Sequence, residues 1–348
     1  MKKTTAFACL SAAILLAGAC AKAPNPGKND ATKRFFDAWT LVNYPNAPKT
    51  GLGSVIIEDK TGTGSLIGTP EDTPFVYCTF TATDLSGNIT TSTDKKVAQQ
   101  LGTYSESSYY GPRILSRASG RINSGVIEMM QTMRVGGTRT AAIPGWLMTT
   151  DSYETEEEYL KNATGTEAIY TLHVLEGIQD IAKWEVDSLV RYMRRHYPGV
   201  DSTAYGYYYI RTAEPLDTNA FENGATLYLN YTGRILNGQV FDSTIEDTTK
   251  RYRIYNESKT YEPMSVSLPS EAGADAEVST SSGSSLISGF SKCIKTMRAG
   301  EKGICIFYSG LGYGLNGSGS QIPGISPLMF EIHMLGLNED GSIDKDDD

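Results

Sequence analysis

The stretch "YTGRILNGQVFDST", residues 231–244, sets a phenol, a phenylalanine and a carboxylate within one short segment. Apolar residues alternate on either side of an Asn-Gly pair, which reads as two strands joined by a turn. Asp242 follows Phe241 directly, so the two side chains leave opposite faces of a regular strand. A two-residue turn on Asn237 and Gly238 would pair Leu236 with Gln239 and send Tyr231 and Phe241 to opposite faces as well. A three-residue loop over 236–238, with Gly238 left-handed and a bulge beside it, returns them to one face. We expect the second turn, which makes an aromatic wall with a carboxylate at its edge.

Other chemistries find little support along the chain. The three histidines, His173, His196 and His333, lack metal-ligand spacing with cysteine or carboxylate, and no metal is assigned. Beyond Cys20 the cysteines are Cys78, Cys293 and Cys305, an odd number inside strand-like or helix-like stretches, and they read as buried thiols. The net charge is −9, with no cluster of Lys or Arg against it, which argues against nucleic acid as a partner.

Lys2 and Lys3 precede an apolar run, residues 6–17, that is too short to span a bilayer comfortably. Residues 1–19 therefore read as a signal peptide. The ending "LLAGAC" resembles the bacterial lipobox, which would make Cys20 the lipidated residue, although "AGA" also suits an ordinary signal peptidase. The next ten residues are polar and proline-bearing, as a membrane tether should be, and a helix over "ATKRFFDAWTLVNY" completes the segment 20–50.

The elements that must position the aromatic wall occur twice. "SGFSKCIKTMRAGEKG" from Ser288 echoes "SGVIEMMQTMRVGGTR" from Ser124. In the later copy Leu286, Phe290, Cys293, Ile294 and Met297 share a helical face, with Ser285 expected as the N-cap and Gly300 just past the end. Ile122, Val126, Met129, Met130 and Met133 do the same in the earlier copy. Strands follow each helix: "LMFEIHML" puts Leu328, Phe330, Ile332 and Met334 on one face, and "AIYTLHVL" is its counterpart. His173 and His333 fall at equivalent outward positions. Between the copies a helix buries Ala182, Val186, Leu189 and Met193 and ends before Pro198-Gly199. The tail at 339–348 is acidic.

The order "YTGRILNGQVFDST", "LISGF", "GYG" and "IPGISPLMFEIHML" resembles the FKBP-type peptidyl-prolyl cis-trans isomerases over residues 205–338. That resemblance implies an α+β fold in which an antiparallel sheet wraps around one short helix, with the substrate proline held between them. It implies a pocket made by Tyr231, Phe241, Asp242, Ile287, Phe290, Tyr313 and Phe330, with Leu286 and Ile322 also contacting substrate. The Tyr313 hydroxyl and the Ile287 N–H would hold the carbonyls flanking the proline, and no cofactor is implied. Phe290 stands where the family most often has tryptophan, so a deeper floor is expected. The loop "GLNGSGSQIPG" after Tyr313 is expected to be mobile, and the Ser/Ala/Gly-rich stretch within the long span 243–285 to be an unstructured insertion in preference to a substrate-guiding flap.

Alignment of the two hairpins sets "FTATDLSGNITTST" against the second copy: Phe80 for Tyr231, Thr90 for Phe241, Thr91 for Asp242. Asn123 and Val126 likewise stand for Ile287 and Phe290. Residues 51–178 therefore read as an FKBP-like domain that has lost its pocket, joined by a helix and linker at 179–204 to the isomerase domain. Its own task is open among holding unfolded chains, pairing two copies of the molecule, and spacing the isomerase from the membrane. The expectation for the whole is an exported, lipid-anchored isomerase acting on proline-containing unfolded or nascent exported polypeptides. The alternative is a non-catalytic chaperone that uses both domains as scaffolds.

Overall fold

The computed structural model describes residues 27–271 and 276–336. The signal peptide, Cys20 and the acidic tail lie outside the described residues. The chain opens with helix α1 (Asp30–Asn43), whose buried Phe36 meets Trp146 edge-on at 5.7 Å. A first sheet follows, made of β1 (Val55–Lys60), β2 (Phe75–Thr83), β3 (Ile89–Ser92), β4 (Arg113–Ser116), β5 (Thr138–Ile143) and β6 (Ala168–Ile178). Helices α2 (Lys95–Gln100), α3 (Ser124–Gln131) and α4 (Glu156–Asn162) interrupt it. Helix α5 (Ile181–His196) then leads to a second sheet of β7 (Tyr207–Ala213), β8 (Thr226–Ile235), β9 (Val240–Ser243), β10 (Met264–Ser267), β11 (Ser279–Thr280), β12 (Lys302–Phe307) and β13 (Leu328–Met334). Helix α6 (Glu246–Arg251) follows β9, and α7 (Ser288–Thr296) precedes β12.

The two sheets share one antiparallel topology. The first runs β1-β5-β6-β2 with β3 and β4 both pairing β2, and the second runs β7-β12-β13-β8 with β9 and β10 both pairing β8. The fold is α+β, two units of the same topology, each a sheet curled around one short helix.

Alternation along the strands fills each core. Leu227, Leu229, Ile235, Leu328, Phe330, Ile332 and Met334 are buried together with Phe290, Cys293, Ile294 and Met297 from α7. Val126, Met129 and Met130 from α3, with Met133 just past its end, occupy the same place in the first unit. The repeated Ser-Gly has a packing reason. A Cβ on Gly289 would lie 2.5 Å from Phe307 Cδ2, and one on Gly125 would overlap Ile143 Cγ2, so glycine lets each helix lie directly on its following strand. Helix α5 covers the outer face of the second sheet, where Leu189 and Met193 meet Tyr208, Ile306 and Met329.

Three expectations need correction. Helix α7 starts at Ser288 with Ile287 as its N-cap, not Ser285. Ser285 is drawn into a bridge with Ser279, and Leu286 N–H donates to the Val278 carbonyl, so both residues are extended. The span 243–285 is also largely structured: besides α6 and β10, Val278 is fully buried and its N–H donates to Ser291 Oγ at 2.8 Å. One apolar residue amid serines and alanines anchors the segment, a signal that composition hides; residues 272–275 lie outside the described residues. Finally, the glycine-rich loop after Tyr313 is closed on itself. Ser318 and Ile322 exchange backbone hydrogen bonds, and Ile325 N–H donates to the Gly314 carbonyl. Its glycines are there because a Cβ on Gly317 or Gly324 would run into the loop's own backbone at Ile322 or Leu315.

Candidate active site

The hairpin between β8 and β9 decides where the first site residues point. Gly238 N–H donates to the Ile235 carbonyl, Ile235 N–H donates to the Gln239 carbonyl, and Gly238 has φ of +92°. The loop therefore has three residues, as the grouping of Tyr231 with Phe241 requires. Gly233 pairs with Asp242 and Arg234 with Val240, which leaves Phe241 as the extra residue of a bulge. The three-residue loop alone sets Phe241 on the face of Tyr231, and the bulge brings Asp242 to the same side, opposite Gly233.

Phe330 on β13 is the centre of the site. Phe290 stacks on it at 4.5 Å and 21°, Phe241 meets it edge-on at 5.6 Å, and Tyr231 lies at 6.0 Å. Behind it Phe307 lies nearly parallel at 5.9 Å. Three rings, Phe290, Phe330 and Phe307, thus form the floor, which the packing of Phe290 onto Phe330 fills. Ile322 is buried beside the same cluster, and Leu286 and Ile287 are half-buried against it. Ile287 has the extended backbone of an N-cap, so its N–H stands ahead of the helical ladder.

Asp242 is the polar edge. Its Oδ2 accepts from the Tyr231 hydroxyl at 2.5 Å, and its Oδ1 accepts from Ser243 N–H at 2.9 Å and from Lys259 Nζ. Burial first, then the charge of Asp242, pushes the Tyr231 phenol far above its ordinary value. Tyr231 is a donor throughout the working pH range. Burial and the same carboxylate also raise Tyr313, whose ring is partly exposed at the rim.

The sequence reading missed three residues here. Lys259 comes from the long span after β9, where nothing in its spacing points to Asp242. Phe307 was readable as an inward position of β12. Gly233, a glycine inside a strand, signals close approach, and a Cβ there would lie 2.6 Å from Phe241 Cε2 and Cζ.

The first unit keeps the hairpin and two of the rings, Phe80 and Tyr170, which lie 6.2 Å apart at the places of Tyr231 and Phe330, but it loses the counterparts of Phe241 and Phe290. Ala82 pairs with Thr91, Thr83 with Ile89, and Thr90 is the extra residue. Thr90 Oγ1 donates to the Ala82 carbonyl at 3.1 Å where Phe241 reaches inward in the second unit. Asn123 caps α3 as Ile287 caps α7, and Val126 occupies the place of Phe290.

A cleft of about 610 Å³ opens elsewhere, bordered by Asn230, Thr232, Lys302, Glu331 and His333. Strand alternation points these side chains away from the Phe330 cluster. Tyr231 and Tyr261 also border it, but Phe241, Phe290 and Phe330 do not, and the candidate site rests on those three rings.

Residues 217–335 match the family profile described as FKBP-type peptidyl-prolyl cis-trans isomerase. FK506-binding protein 2 of Dictyostelium discoideum is 30% identical over 117 residues, 34% of this chain and 68% of that protein. The chain belongs to the FKBP family. It is a peptidyl-prolyl cis-trans isomerase of the FKBP type. FK506-binding protein 1A of Aspergillus fumigatus is 26% identical over 117 residues, covering 34% of this chain and 81% of that one. The solved structure of the three FKBP domains of wheat FKBP73 overlays 81% of this chain and 93% of its own at 12% identity, with a TM-score of 0.29. The FKBP match begins after β7 and reaches just past β13, so the Phe330 cluster, Asp242 and Tyr313 all fall inside it.

Proposed function

We propose that the second unit catalyses Xaa-Pro isomerisation, while the first, without a pocket, serves it in a non-catalytic capacity. One observation carries this: Phe241, Phe290 and Tyr231 converge on Phe330 beside Asp242, and the matching positions of the first unit are Thr90, Val126, Phe80 and Thr91.

The chemistry asks little of such a site. Rotation about an Xaa-Pro bond meets a barrier of about 20 kcal/mol because the planar amide loses its resonance. No bond breaks, so no nucleophile is needed. A twisted amide is less polarised than a planar one, and a dry, ring-lined pocket favours it relative to water. The proline ring would rest on Phe330 and Phe290, with Phe241 and Tyr231 as walls and Ile322 and Leu286 at the edges. The Tyr313 hydroxyl and Ile287 N–H would hold the flanking carbonyls. Asp242 orients Tyr231 and stiffens that wall.

In the cell the enzyme would be exported and anchored through a lipid on Cys20, assisting proline-containing unfolded or nascent exported polypeptides in the cell envelope. The leader and lipobox of the sequence support this part. Fatty-acid labelling that disappears in Cys20→Ala is the expected result, and persistent labelling would remove the anchor.

The test of catalysis is exchange NMR on a short Xaa-Pro peptide, with a soluble form beginning at Ala21 and its Phe241→Ala and Asp242→Ala variants. Acceleration by the parent, largely lost in both variants, is expected. Uncatalysed exchange with the parent would leave a peptide-holding scaffold instead.

A further inference from the structure

The loop 308–327, which carries Tyr313 and Ile322, is held from outside its own unit. At its start, Glu185 of α5 is 2% exposed and accepts from Ser309 N–H at 2.6 Å and Ser309 Oγ at 2.7 Å. The Ser309 carbonyl in turn accepts from Gly314 N–H at 2.9 Å, the residue next to Tyr313. Farther along, Arg121 donates to Asn316 Oδ1 at 2.6 Å, Tyr109 N–H to the Ser320 carbonyl at 2.8 Å, and Ser108 Oγ to Ser320 Oγ at 3.2 Å. The same first-unit segment reaches the opposite rim. Gln239, two residues before Phe241, donates to the Ser107 carbonyl at 3.3 Å, and Arg253 pairs with Glu106.

A buried carboxylate is a poor choice for stability alone, since desolvating it costs several kcal/mol and a well-packed apolar residue is often as stable or better. Burial raises Glu185 above the ordinary carboxylate range even with both hydrogen bonds from Ser309. Its two acceptor oxygens do what an apolar residue could not: they fix the direction of one backbone N–H and one hydroxyl at the root of the loop. Helix α5 is itself seated on the first sheet, with Trp184 5.8 Å from Tyr77.

We propose that the first unit and α5 act as positioning elements for the isomerase site: Glu185, Arg121 and residues 107–109 clamp the loop so that Tyr313 faces the peptide. This rests on the reading of the second unit as the catalytic one. The first unit then has a task that needs no pocket, which accounts for a scaffold kept with Thr90 and Val126 in place of Phe241 and Phe290.

The experiment is peptide exchange NMR on the full mature chain, separating kcat from KM, for Arg121→Ala, Glu185→Ala, Glu185→Gln, Tyr313→Phe and the double variant Arg121→Ala with Tyr313→Phe. Arg121→Ala and Glu185→Ala should each lower kcat/KM by about three- to tenfold, mainly through KM, as loss of a group that orients bound peptide does. Glu185→Gln, which keeps an acceptor for Ser309, should restore most of the loss. The double variant should cost little more than Tyr313→Phe alone, because the clamp works through that hydroxyl. Should Glu185→Ala fail to fold, Arg121→Ala decides, since its contact is exposed. Parent-like kinetics in Arg121→Ala and Glu185→Ala, or fully additive losses in the double variant, would overturn the clamp while Asp242→Ala still shows catalysis. A parent that leaves exchange uncatalysed would remove the functional reading and this inference with it.

Discussion

The Tyr231 hydroxyl and Asp242 Oδ2 meet at 2.5 Å from two strands whose register a single bulged residue, Phe241, has shifted. The shift pairs Asp242 with Gly233, so a ring and a carboxylate that are neighbours in sequence both lie on the face of Tyr231. Lys259 completes the arrangement by pairing with the other oxygen of Asp242.

Removing the phenolic oxygen should therefore cost more than an ordinary hydrogen bond. Tyr231→Phe is expected to lower stability by about 1.5–3 kcal/mol, the usual worth of a hydrogen bond to a charged group. Urea unfolding measures this, and a change within error would mean that Lys259 and Ser243 N–H alone hold Asp242.

Gly233→Ala tests the aromatic wall itself. The new Cβ would lie 2.6 Å from the Phe241 ring and 3.1 Å from Phe330 Cε1, so the rings must move apart. We expect about 1–3 kcal/mol of destabilisation from overpacking, with a matching fall in isomerase activity. Position 82 of the first unit already holds alanine, with Thr90 in place of the ring. A Gly233→Ala protein with parental melting temperature and activity would show that Phe241 can swing away freely.

The helix glycines should behave alike in both units. Gly289→Ala and Gly125→Ala each push a Cβ into Phe307 or Ile143, and both should lower stability, by roughly 1–3 kcal/mol. Thermal melts of the two variants are the check. Loss in one unit only would mean that the other helix stands farther from its strand than here.

Glu301 gives the pH dependence. Its carboxylate is buried, which alone would raise its pKa, yet hydrogen bonds from Tyr209 hydroxyl, Arg211 Nε and Arg298 N–H outweigh burial and hold it below the ordinary range. A carboxylate depressed in the folded state contributes stability above its unfolded value, near ~4.3, and loses it as pH falls through the folded one. Parent and Glu301→Gln should differ most in unfolding free energy near neutral pH, and the gap should close below about pH 4. A gap that stays constant down to pH 3 would contradict this.

Much of the site was legible because its signals are local. Gly238 and the pattern around it specify the three-residue loop, since turn chemistry acts over a few residues, and alternation then puts Tyr231, Phe241 and Phe330 on one side. Helical periodicity likewise named Phe290, Cys293 and Met297 as one buried face. The start of α7 was misplaced because Ser285 is a good cap in isolation, and a distant strand partner, Ser279, claims it.

By itself the sequence determined the strands, the short helices and the three-residue hairpin loop, because these follow from periodicity and turn preferences along contiguous segments; the residues expected to line a proline pocket came from the resemblance of its motifs to the FKBP family. Tertiary structure alone decided that Lys259 reaches Asp242, that Phe307 backs Phe330, and that Glu185 and Arg121 hold the loop of Tyr313. Glu185 and Ser309 are separated by 124 residues. A charge or a serine carries no periodicity that names its partner at that distance; only the docking of α5 and the first unit onto the second sheet brings those groups within hydrogen-bond reach.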